Sequence, residues 1–91
     1  MTTPPSEPPA PDPVLSLDLR GTPCPLNFIR TRLALEKIAV GAWLQVDLDA
    51  GEPERMVREG IGGEGHRVEQ VPLPIGVSGE GIRLLIRRHG G

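Results

Sequence analysis

The chain has 91 residues and a formal net charge of −2, with 37% hydrophobic residues, one Trp, one Phe and no Tyr. That length holds one small domain with a thin, mostly aliphatic core, and the charge balance argues against nucleic-acid binding as the main role. A single cysteine, Cys24, excludes an intrachain disulfide and a multi-cysteine metal site.

No stretch approaches 18 apolar residues, so no membrane span is expected. No secretory signal is visible at the N-terminus, and a free thiol suits a reducing compartment, so a cytoplasmic protein is expected. Residues 1–13 (MTTPPSEPPAPDP) contain six prolines and no large apolar residue after Met1. Such a segment buries too little surface to offset its ordering entropy, and it reads as a disordered tail. The folded domain is expected over residues 14–91.

In chain order, VLSLDLR alternates from Val14, with Leu15, Leu17 and Leu19 on one side, as a strand with one buried face does. GTP then turns the chain. A helix fits from Pro25 to about Ala39, with Pro25 in the first helical position and Gly41 just past the end. It carries two apolar stripes. Phe28, Leu35 and Ile38 form one; Leu26, Ile29 and Leu33 form the other, with Asn27, Arg30, Thr31 and Lys37 on the polar arc between them. One stripe can pack on a sheet, and the second needs another helix or a partner.

AWLQVDLD is the second strand. EPERMVREGI reads as a second helix opened by acidic residues and Pro53. GGEG at 62–65 is a turn, HRVEQV a third strand, PLPIGVSGEG a loop and IRLLIRR a fourth strand before HGG. The order β-α-β-α-β-β gives an α/β (α+β) two-layer sandwich. A four-stranded mixed sheet carries both helices on one face, and its first two strands are parallel.

With Pro25 first in the helix, Cys24 falls at the N-cap. Unpaired helical N–H groups and the positive end of the helix dipole favour an anionic sulfur there. Arg20, Arg30 and Arg32 are close in sequence and can add positive potential. The flanking prolines stiffen the turn and present the thiol outward.

The stretch LDLRGTPCPLN resembles the cysteine motif of the TusA/SirA-like sulfur-carrier family, D-x-[RL]-G-x-x-C-P-x-P. The likeness continues through VGAWLQVDLD, GEGH and IRLLIRRHGG, over residues 15–91. It implies the sandwich just derived and a small sulfurtransferase-type carrier that reacts stoichiometrically within a relay. It also implies that Cys24 accepts sulfur as a persulfide, with Pro25 as its supporting proline. The implied donor is a cysteine desulfurase or another sulfurtransferase. The implied recipient is a downstream acceptor protein in tRNA thiolation, cofactor assembly or sulfur metabolism. No cofactor is implied. Asn27 departs from the motif's second proline and restores an N–H at the third helical position, within reach of a thiolate.

Other patterns compete less well. HGG resembles the Gly-Gly end of thiocarboxylate carriers, but those folds begin with a β-hairpin. A binding or regulatory module on the same fold would leave Cys24 dispensable. DLDAGE lacks the ligand spacing of a calcium loop. GIGGEG follows a helix and precedes a strand, the reverse of a dinucleotide loop. His66 and His89 lack the further ligands of a metal site. Trp43 reads as a core or edge anchor.

Overall fold

The computed structural model describes residues 12–74 and 79–90. Most of the expected tail and part of the expected 72–81 loop therefore lie outside the described residues. The elements are β1 (Leu15–Asp18), α1 (Leu26–Lys37), β2 (Trp43–Leu48), α2 (Glu52–Gly63), β3 (Arg67–Pro72) and β4 (Ile82–Arg87). They form a four-stranded mixed sheet in the order β1-β2-β4-β3. β1 runs parallel to β2, and β4 is antiparallel to both β2 and β3.

Alternation along the strands divides the sheet into two faces. Leu44, Val46 and Leu48 of β2 and Leu84 and Ile86 of β4 are fully buried against Leu35, Val57 and Ile61 of the helices. Trp43, Gln45 and Asp47 point to the opposite face. There Asp47 stands directly across from Arg83. The two form a bidentate pair, with Nε to Oδ1 at 2.8 Å and a terminal guanidinium nitrogen to Oδ2 at 3.1 Å. This hydrogen-bonded partner holds the Arg83 guanidinium protonated above its usual range.

Several boundaries differ from the sequence expectation. α1 starts one residue later than expected and ends before Ile38, whose ψ of 159° is extended. The Arg88 guanidinium donates to the carbonyls of Glu36 and Ile38 and so satisfies the helix's last acceptors. α2 continues through Gly62 and Gly63 because buried Ile61 anchors its last turn; the break falls at Gly65, whose φ is +96°. β3 includes Pro72, tolerated because β3 is an edge strand.

The inner face of α1 is also more polar than its apolar stripes imply. Asn27 and Thr31, on the polar arc between the two stripes, are both fully buried, on a face shared with Ala34 and Leu35. Thr31 resolves its burial within the helix, its hydroxyl donating to the Asn27 carbonyl at 2.8 Å. The Leu26, Ile29 and Leu33 stripe is 40%, 45% and 52% exposed, so no element among the described residues covers it.

Candidate functional site

The turn that presents Cys24 is fixed by the residues before it. Asp18 takes Arg20 in a fork, with Nε to Oδ1 and a terminal nitrogen to Oδ2 both at 2.9 Å, and Oδ1 also accepts the Arg20 backbone N–H. The side-chain hydrogen bonds from Arg20, helped by that backbone N–H, pull the Asp18 carboxyl down to about 2. The Arg20 stem lies over Gly81, where an added Cβ would stand 3.0 Å from Cδ of Arg20 and 2.6 Å from the Leu48 carbonyl oxygen. Gly21 takes φ +79°, its N–H donates to Asp49 Oδ2 at 2.8 Å, and the Thr22 N–H closes the turn onto the Leu19 carbonyl. The Asp-x-Arg-Gly part of the motif is thus a clamp that ties the end of β1 to the end of β2 and the start of β4.

After the clamp, Pro23 and Cys24 lead through a cis Cys24–Pro25 peptide into α1. Pro25 occupies the N-cap rather than the first helical position, so Cys24 lies one residue before the cap. The reason is local. The Asn27 N–H turns back to the Pro23 carbonyl at 3.2 Å and the Ile29 N–H to the Pro25 carbonyl at 3.0 Å, which starts the coil before the regular helix.

The backbone N–H expected to serve the sulfur is therefore engaged elsewhere. The Asn27 side chain reaches the thiol instead, its Nδ2 donating to Cys24 Sγ at 3.2 Å. Its Oδ1 accepts the Phe28 N–H at 2.7 Å, one of the first-turn donors a helix leaves unpaired. Asn27 is thus a fully buried bracket between helix and sulfur, while Cys24 itself is exposed.

Beside the sulfur opens a cleft of about 240 Å³ lined by Cys24, Pro25, Asn27, Phe28, Met56 and Gly60. Its walls are apolar apart from the Asn27 amide. Gly60 lets α2 approach α1 closely, since a Cβ there would lie 2.5 Å from Cε2 of Phe28. Met56, one turn earlier on α2, is 46% exposed at the edge of the cleft. Sequence reading missed Met56 and Gly60. Their only signal was a glycine four residues after a methionine on an otherwise polar helix face.

Of the arginines expected near the thiol, Arg20 is committed to the clamp. Arg32 pairs with Glu64 at 3.4 Å, and Arg30 lines a groove with β1. Among the described residues no group of three or more His, Cys, Asp or Glu side chains is arranged to hold a metal ion. No helix among them is long and apolar enough to cross a membrane.

Three comparisons bear on this arrangement. The profile of the family described as "Sulfurtransferase TusA" matches residues 15–88. An Archaeoglobus fulgidus protein named "Putative sulfur carrier protein" is 42% identical over 55 residues, 60% of this chain and 62% of the relative. The match thus spans less than two thirds of the relative's length. The crystal structure of a SirA-like protein from Desulfitobacterium hafniense superposes with a TM-score of 0.69 at 22% identity, over 85% of this chain and all of that one, and so shares the fold.

Proposed function

The chain belongs to the TusA family of sulfurtransferases, and we propose from that premise that it carries sulfur as a persulfide on Cys24. The observation that carries this reading is the Asn27 amide on an exposed Cys24 sulfur at the mouth of an apolar cleft. In this reading the carrier domain spans residues 14–91, behind a Pro-rich tail.

In the first step the Cys24 thiolate attacks the outer sulfur of a donor protein's persulfide. A bond forms between Cys24 Sγ and that sulfur, the donor's S–S bond breaks, and the donor leaves as a thiolate. In the second step a nucleophile on the acceptor attacks the outer sulfur, and Cys24 departs as a thiolate. The two sulfur transfers cancel, so no external oxidant or reductant is needed. A hydrogen bond to anionic sulfur stabilises the attacking form in the first step and the leaving group in the second. Pro25 shapes the turn, Asn27 positions the sulfur, and the cleft shelters the outer sulfur from water.

A cysteine desulfurase or another sulfurtransferase supplies the sulfur, and the exposed stripe of Leu26, Ile29 and Leu33 next to Cys24 is the docking surface for it. Transfer of labelled sulfur from a desulfurase supplied with cysteine tests the reading. Cys24→Ser abolishes labelling. Leu33→Glu lowers it about five-fold or more while leaving the fold intact, as for a central interface residue. Label retained on the Cys24→Ser protein contradicts the reading.

A further inference from the structure

The far end of α1 holds a second concentration of chemistry. Arg67 on β3 and Arg87 on β4 are direct register partners. Partners in an antiparallel pair share a face, and like charges so placed repel. Glu69 attends Arg67 alone, at 3.0 Å. Arg87 donates Nε to the Gly41 carbonyl at 3.3 Å, and its terminal nitrogens have no hydrogen-bond partner among the described residues.

A cleft of about 310 Å³ opens beside this pair, bordered by Arg67, Arg87, Arg88 and His89 over Gly41, Gly65 and Gly90. Gly41 and Gly65 take φ of +86° and +96°, and without side chains they leave the backbone open to a ligand. The Arg88 guanidinium is held on the α1 carbonyls, yet its charge still borders the cleft. His66 and His89 meet here, the His89 N–H donating to His66 Nδ1 at 3.0 Å.

In a chain of net charge −2, a cationic pocket of this kind is a local construction. Its extent is narrow. The next row across the sheet, Gln45, Leu85 and Glu69, carries no positive charge. The field therefore fits one compact anion and does not track a polymer backbone. The terminal N–H groups that Arg67 and Arg87 do not spend on Glu69 and Gly41 can donate to the oxygens of a tetrahedral dianion.

We propose that this cleft binds a phosphate- or sulfate-type oxyanion between Arg67 and Arg87, over the glycine floor. It lies at the C-terminal end of α1, about 18 Å along the helix from the end that carries Cys24, and it stands independently of the carrier reading. The ligand is a free inorganic anion or the phosphate group of a small ester.

The test uses the full chain at constant ionic strength, with chloride as the balancing ion. Inorganic phosphate, sulfate and adenosine monophosphate are titrated, read by amide NMR and by thermal unfolding. Phosphate or sulfate is expected to perturb Gly41, Gly65, Arg67, Arg87 and Gly90 saturably and to raise the melting temperature. Arg67→Gln and Arg87→Gln each weaken binding about ten-fold or more, since each removes charge-assisted hydrogen bonds, whereas Cys24→Ser leaves it unchanged. Arg67 is exposed, so its substitution spares the fold. Tighter binding of adenosine monophosphate than of inorganic phosphate identifies an ester as the ligand; equal or weaker binding identifies the free anion. Shifts reproduced by chloride alone, or unchanged affinity in both arginine variants, overturn the proposal.

Discussion

The Asn27 side chain joins the first turn of α1 to the Cys24 sulfur: its Nδ2 lies 3.2 Å from Sγ while its Oδ1 holds the Phe28 N–H at 2.7 Å. The same amide caps a helix and contacts the group proposed to carry sulfur. Two consequences should therefore change together when it is removed.

Asn27→Leu keeps the branching of this buried side chain, adds some volume and loses both hydrogen bonds. Stability should fall by about 1–2 kcal/mol, because the Phe28 N–H loses its acceptor. Exchange of Cys24 with a small disulfide probe at neutral pH should slow about three-fold. The sulfur loses the donor that positions it and that hydrogen-bonds the attacking anion. Asn27→Pro, which restores the residue of the TusA/SirA-like motif, removes the same donor and should slow exchange similarly. Stopped-flow exchange kinetics and thermal melts measure both effects, and an unchanged or faster exchange rate contradicts the role given to the amide.

Gly60 sets the width of the cleft. A methyl group at this position would meet the Phe28 ring at 2.5 Å, so the ring must move toward Cys24 or the helices must part. Gly60→Ala should cost about 1–3 kcal/mol, in the range for overpacking, even though alanine favours the helix interior. The Phe28 ring signals and the Cys24 amide should shift in NMR spectra. A variant as stable as the parent, with both signals unmoved, would show that the two helices do not pack as described.

The Asp18 clamp makes a prediction about acid. Its carboxyl is held down to about 2 by hydrogen bonds from Arg20, against roughly 3.9 for an unfolded Asp. With the folded value depressed, the contribution to stability is complete above the unfolded value and is lost as pH falls through about 2. Carboxyl NMR should show an Asp18 midpoint near 2, and the stability gap between the parent and Asp18→Asn should shrink between about pH 4 and pH 2. A midpoint near 4 would mean that the fork is not formed in solution.

Element order, the parallel β1–β2 pair and the motif cysteine were legible because each rests on a local signal: alternation, helical period, proline and glycine punctuation. The sheet order β1-β2-β4-β3 was not, because the placing of β4 between β2 and β3 depends on long-range pairing. The inner face of α1 misled for a chemical reason. Asn27 and Thr31 are polar, and burial becomes acceptable only through partners that the sequence does not display. Cys24 could be found from its neighbours. Met56 and Gly60 reach the cleft only by the packing of α2 on α1, about 30 residues away in sequence.

Mass spectrometry of the protein after incubation with a cysteine desulfurase and cysteine, followed by peptide mapping, tests the central claim most directly. The account predicts a gain of one sulfur atom on the peptide that carries Cys24, removed by a thiol reductant and missing from Cys24→Ser. A protein that gains no sulfur, or gains it at Gly91 in place of oxygen, would contradict it.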